Sequence, residues 1–182
     1  MNTIFQTNLG TIHLWEIEEY DLKISAGEKK RSIEKESVLK KINELGFNDS
    51  LQKKESGQPF LENNPTIFIS ISHCQNQMAL YIASKPVGID IENERPRLFD
   101  GQSYYVNETE EKEVLNQERL QLIWGGKETL YKQFEGQILD LKNEVSLVSV
   151  NKLNNSIVLE YNSMRYNLEY RQLKNMWLVF TS

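Results

Sequence analysis

Residues 66–92 read "TIFISISHCQNQMALYIASKPVGIDIE", and how this stretch folds decides the class of the whole chain. It contains three β-rich runs, "TIFISIS", "MALYIAS" and "VGIDIE", parted by turn-like residues, so the three runs are expected to form antiparallel pairs. Working upstream, "ESGQPFLENNP" is turn chemistry rich in Gly, Pro and Asn. Before it, "SAGEKKRSIEKESVLKKINELGF" carries helical charge pairs and stops at Gly46. Residues 11–18, with Ile12, Leu14 and Ile17, read as a short strand. Working downstream, residues 107–134 follow a helical pattern. The tail then holds four further β runs, "VSLVSV", "SIVLEY", "RYNLEY" and "MWLVFT", which read as a meander. The order β-α-βββ-αα-ββββ predicts an α+β fold, helices packed on antiparallel sheet, rather than an alternating wound one.

Composition excludes several classes of function. Hydrophobic residues at 39% and aromatics at 10% of 182 residues supply a packed core. The charged 26% is spread along the chain, which argues against disorder. The first residues lack the basic start and apolar run of a signal peptide, and no later run approaches a membrane span, so a cytoplasmic protein with no membrane partner is expected. A net charge of −5 disfavours a nucleic-acid partner, because phosphate backbones need a basic face. One cysteine, Cys74, excludes an internal disulfide framework and reads as a packed thiol. Two histidines far apart in sequence make a zinc site a poor fit.

The chemistry lies in charged residues that interrupt apolar patterns. In "VGIDIE" Asp90 and Glu92 leave one face of a strand roughly 6–7 Å apart, while Ile89 and Ile91 leave the other. By itself such a pair is more often a solvated face. In "LIWGGKETLYKQF" (residues 122–134) an apolar helical stripe runs through Lys127 and Glu128, with Lys132 one turn on. Charges in a core-facing stripe are costly unless they meet partners or a ligand. Gly125 and Gly126 cost the helix about 2 kcal/mol relative to alanine, so close approach of another element or of a bulky ligand is expected there. A phosphate loop is excluded: Gln121 and Glu128 occupy the positions that would need Gly and Ser or Thr. Carboxylates from a strand and a helix, with lysines beside them, suit Mg²⁺ on a diphosphate. In "SISHC", His73 with Ser70 and Ser72 nearby could bind an anion.

Taken in order, "GQPFL", "ISISHC", "VGIDIE", "ETEEKEV" and "LIWGGKETLYKQFEG" resemble the 4'-phosphopantetheinyl transferase superfamily. Its hallmark is G-[IV]-D-[IV]-E followed by W-x-x-K-E-x-x-x-K. Trp124, Lys127, Glu128 and Lys132 stand at the required spacings. The similarity spans most of the chain from Arg31 onward and is to the monomeric surfactin-synthetase-activating type. That resemblance implies a pseudo-dimer of two similar α+β lobes, residues 1–86 and 87–182, with the active site in the cleft between them. It implies transfer of the phosphopantetheine arm of coenzyme A to a serine hydroxyl of an apo acyl or peptidyl carrier protein, Mg²⁺-dependent, with release of adenosine 3',5'-bisphosphate.

The resemblance also distributes roles. Asp90, Glu92 and Glu128 would hold Mg²⁺, Lys132 would neutralise the leaving phosphate, and Glu110 would take the serine proton, with Glu111 adjacent. Arg31, Ser72, His73, Asp90, Lys127 and Lys132 would contact coenzyme A, His73 facing its 3'-phosphate. Two positions depart from the family: Gln58 stands where a lysine is usual, and Gly125 where Ser, Thr or Cys is. Loss of the lysine implies weaker coenzyme A binding by about 1–3 kcal/mol. Two alternatives stand beside this one, a non-catalytic relative that only binds coenzyme A or a carrier protein, and a generic Mg²⁺-dependent nucleotide-diphosphate enzyme.

Overall fold

The first sheet is built from the first half of the chain. The structure, a computed structural model, describes residues 2–94, 97–113 and 115–182. Strands β1 (Asn2–Gln6) and β2 (Gly10–Glu16) precede a short helix α1 (Tyr20–Ser25) and a longer one, α2 (Lys30–Glu44). Helix α2 ends as expected: Gly46 takes φ of +85°, a left-handed value that glycine adopts without penalty, and its N–H bonds the carbonyl of Asn43. A small hairpin of β3 (Leu51–Lys53) and β4 (Pro59–Leu61) follows, β4 lying inside the segment expected to be turn. Strands β5 (Phe68–Cys74) and β6 (Gln77–Ala83) complete an antiparallel sheet of order β1-β2-β6-β5.

Strand β7 (Ile89–Asn93) does not pair with β6. It leaves that sheet and pairs antiparallel with the last strand. After it come a short helix α3 (Arg97–Gly101), a 3-10 turn at Glu110–Lys112, helix α4 (Gln117–Gln133) and a one-turn helix α5 (Leu141–Glu144). The helical expectation for residues 107–134 is thus met only from Gln117 on, where Asn116 caps α4 by accepting from the N–H of Arg119 at 2.9 Å. The tail forms the expected meander, β8 (Val145–Asn151), β9 (Ser156–Tyr161), β10 (Met164–Leu173) and β11 (Met176–Thr181), giving a second antiparallel sheet of order β7-β11-β10-β9-β8. The fold is therefore α+β with antiparallel sheets. Among the described residues no helix is long and apolar enough to cross a membrane.

Three apolar clusters hold these layers. One face of the first sheet takes α2, with Ile33, Val38 and Ile42 packed on Trp15, Ile69, Met78 and Leu80. One face of the second sheet takes α4, with Leu122, Ile123 and Leu130 beside Ile157, Leu159 and Val179. The third cluster joins the sheets: Ile12, Leu14, Ala79 and Tyr81 from the first meet Ile89, Ile91, Leu178 and Phe180 from the second. The core is thus continuous across residues 86 and 87.

The lone edge of β7 is closed by side chains. Ser70 Oγ accepts from the N–H of Ile89 at 3.2 Å and Ser72 Oγ from that of Ile91 at 3.1 Å. Both bonds have the same sequence offset, so β5 and β7 run in the same sense along this seam. A buried N–H left without a partner would cost about 1–3 kcal/mol, and the two serines of "SIS" prevent that.

Candidate functional site at the seam of the two sheets

Alternation along β7 sends Ile89 and Ile91 into the shared core and leaves Asp90 and Glu92 on the α4 side, as their spacing predicts. Helix α4 can approach because of its glycines. A Cβ at Gly125 would lie 2.8 Å from Cγ2 of Val179, and one at Gly126 would lie 2.8 Å from Cδ1 of Leu159. At Gly88, just before β7, a Cβ would come within 1.9 Å of the carbonyl oxygen of Thr129, so the entry to the strand and α4 touch backbone to backbone. The two helix glycines thus serve close approach of the sheet.

That approach brings Lys132 to Asp90. Its ammonium donates to Asp90 Oδ1 at 2.7 Å, to the carbonyl of Ile89 at 3.0 Å and to Ser72 Oγ at 3.1 Å, which occupies all three of its protons. Ser72 in turn donates to Asp90 Oδ1 at 2.9 Å. With one bond donated and two accepted, its hydroxyl is saturated and ties Asp90 to Lys132. Both neighbours of Asp90 use Oδ1. Its Oδ2 lies on the Gly125 side, 3.8 Å from where a Cβ would stand.

Glu128 is half-buried next to this group. Burial raises its pKa above the ordinary carboxylate value; Asp90 and Glu92 raise it further, against the opposing pull of Lys132. The three expected ligand carboxylates therefore share one electrostatic neighbourhood. Cys74 is buried, as read, and donates to Glu92 Oε1 at 3.3 Å. Among the described residues no three His, Cys, Asp or Glu side chains are already gathered as a ligand set.

Two expected site residues stand away from this group. Lys127 and Glu110 are both sealed from solvent, 0% and 1% exposed, and form an ion pair of 2.9 Å. Lys127 also donates to the carbonyls of Tyr105 at 2.7 Å and Lys142 at 3.1 Å. The other oxygen of Glu110 accepts from the N–H of Leu147 at 2.7 Å, on the outer edge of β8, and Oε2 also takes the N–H of Asn107. Burial pulls the pKa of Lys127 down, and Glu110 opposes it. Burial, with Glu110 adding to it, pushes Tyr105 up to about 12. In this structure the two side chains are engaged by each other and by backbone groups, apart from the Asp90–Lys132 cluster. The pair pins the segment before α4 to α4 and β8. Glu111, next door, is exposed.

A cleft of about 670 Å³ lies beside Lys132, between α2, the β3–β4 hairpin, β5 and the end of α4. Arg31, Lys35, Lys53 and Lys132 line it as cations, against Glu34 and Glu135. Lys54 bridges its rim to Glu135 at 2.6 Å, linking the hairpin to the end of α4. Gln58 also lines it, its Oε1 buried without a hydrogen bond. His73 faces the cleft, turned to the opposite side of β5 from Ser72; burial lowers its pKa, opposed by Glu34.

Of the residues expected from sequence, Arg31, His73 and Lys132 thus share one cleft. Ser72, Asp90 and Lys132 form one hydrogen-bonded cluster, Glu92 and Glu128 adjoin it, and Lys127 and Glu110 stand apart. Sequence reasoning missed the seam role of Ser70, although two residues before Ser72 on a strand is the same face. It also missed Glu34, which lies one helical turn from Arg31. No protein-family model matches the chain, and no curated protein does.

Proposed function

We propose that this chain transfers the 4'-phosphopantetheine arm of coenzyme A to a serine hydroxyl of an apo carrier protein, with Mg²⁺, releasing adenosine 3',5'-bisphosphate. The observation that carries the reading is the shared neighbourhood of Asp90, Glu92, Glu128 and Lys132 at the side of a cation-lined cleft. It agrees with the two spaced motifs that resemble the transferase superfamily. In each sheet the last strand of its half lies between an early strand and the penultimate one, β2-β6-β5 and β7-β11-β10, which agrees with the pseudo-dimer part of the reading.

The donor set fits Mg²⁺. It consists of hard carboxylate oxygens, one of them on Asp90 unclaimed by Lys132 or Ser72, and Glu128 carries a repulsion from its neighbours that a divalent cation relieves. Bound there, the ion would supply charge neutralisation at the diphosphate. The protein's own groups do the rest. Arg31, Lys35 and Lys53 attract the phosphates into the cleft, and Ser72 fixes Asp90. Lys132 exchanges a protein acceptor for a phosphate oxygen as the leaving group gains charge. With Glu110 sealed, the serine proton leaves through water.

The test is intact-mass analysis of apo carrier domains from fatty-acid, polyketide and peptide synthases, incubated with the protein, coenzyme A and Mg²⁺. A gain of one phosphopantetheine on at least one carrier, lost in Asp90→Ala, is expected. Measurable coenzyme A binding without mass gain on any carrier would favour the non-catalytic relative. Two observations give that reading its footing: Lys132 has no free proton in this structure, and Gln58 replaces a cation.

A further inference from the structure

The proposed reading leaves one buried charge of the cleft without a role. Glu34, on α2, is 9% exposed, lines the cleft and keeps one carboxylate oxygen, Oε1, buried without a hydrogen bond. Nδ1 of His73 lies 3.2 Å from that oxygen and Lys30 Nζ 3.5 Å. The distance to the imidazole suits a hydrogen bond but the alignment does not yet make one, and a small turn of the ring completes it. Lys30, one turn before it on α2, is half exposed and accounts for only part of this carboxylate's setting: Arg31 and Lys35 on the cleft wall suit an anion, and an acidic side chain among them weakens the field they set up.

We propose that Glu34 is a positioning residue of the cleft: its carboxylate holds Nδ1–H of His73, fixing the ring so that Nε2, once protonated, donates to a phosphate group of the ligand. This rests on the reading above that a phosphate-bearing ligand occupies the cleft. The chemistry is that of a carboxylate–imidazole pair, in which the carboxylate selects the Nδ1–H form and stabilises the imidazolium once an anion approaches the other nitrogen. Burial, Lys30 and Lys132 all disfavour charge on His73, whereas Glu34 and Asp90 favour it. A phosphate at Nε2 adds a second favourable partner, so ligand binding draws a proton onto the ring and affinity rises as pH falls.

The chain has two histidines, so their ring signals are separable by NMR with a His13→Gln variant as the assignment control. The titration of His73 is followed with and without coenzyme A, and with adenosine 3',5'-bisphosphate, in the full-length protein and in Glu34→Gln. In the wild type either ligand is expected to raise the titration midpoint of His73 by about one unit, and Glu34→Gln to cut that rise to half or less. Circular dichroism confirms that the variant is folded. Restoration by Glu34→Asp of part of the rise would add support. Binding of both ligands with an unmoved His73, or an equal rise in Glu34→Gln, overturns the role of Glu34 and leaves the transferase reading standing. Absence of binding by either ligand removes both.

Discussion

At the scale of single residues, Lys127 and Lys132 show how one motif divides its charges. They stand five positions apart on α4, yet Lys127 has no exposure and meets Glu110, while Lys132 meets Asp90 at the edge of the cleft. Removing one partner of a buried pair strands the other, so Lys127→Met is expected to cost about 3–5 kcal/mol of stability in urea denaturation. Adding Glu110→Gln to it should cost less than the two single losses summed, and strict additivity would contradict the pairing. His13 provides a second residue-scale prediction. It is buried on β2, and burial together with Lys41 lowers its pKa from 6.5. The unfolded chain therefore binds that proton more readily than the folded one. Stability is full above about pH 6.5 and declines as pH falls toward the lowered folded value. His73 shifts in the same direction. The slope of urea midpoint against pH between about pH 8 and about pH 5 is expected to be shallower in His13→Gln, and equal slopes would count against it. The spacing of Asp90 and Glu92 put them on one strand face because the two-residue period is local. That Lys127 points inward was legible in the apolar stripe. That its partner is Glu110 was not, because the two stand 17 positions apart and only the tertiary fold brings them together.

At the scale of elements, the glycines around α4 set the distance between helix and sheet. Gly88→Ala places a methyl group on a backbone carbonyl that cannot move without displacing α4, and it should reach or exceed the about 1–3 kcal/mol usual for overpacking. Gly126→Ala meets only the ends of Leu159 and Ile157 side chains, and it recovers about 1 kcal/mol of helix propensity. Thermal denaturation should therefore rank Gly126→Ala well above Gly88→Ala. The reverse order would mean that the backbone contact is not the constraint. Strand runs were legible where alternation was strong, as in all four strands of the tail. The β3–β4 hairpin was hidden because three-residue strands carry too little periodicity to stand out from turn residues. The partner of β7 was hidden for another reason: pairing with β11 is set by the shared core, across more than 80 residues of chain.

At the scale of the whole molecule, the two halves close on each other through side chains from both ends of the sequence. Tyr81 hydrogen-bonds Thr7 at 2.7 Å and donates to the carbonyl of Thr181 at 3.0 Å, while its ring meets Phe180 edge to face. Separate fragments 1–86 and 87–182 would each expose half of that core. Calorimetry of the full chain should accordingly give one transition with equal calorimetric and van't Hoff enthalpies, and neither fragment should fold alone. Two resolved transitions would show that the two halves unfold independently.

The same assembly places the carboxylates, Lys132 and the cleft at one seam and puts the Lys127–Glu110 pair elsewhere. The most direct test of that division is the initial rate of phosphopantetheine addition to an apo carrier, read by intact mass and scaled to the folded fraction, for wild type, Glu128→Gln and Glu110→Gln. Glu128→Gln is expected to lose about 100-fold or more, whereas Glu110→Gln keeps the wild-type rate per folded molecule within about threefold. A folded Glu110→Gln that fails to transfer, beside a Glu128→Gln that still does, would contradict the assignment.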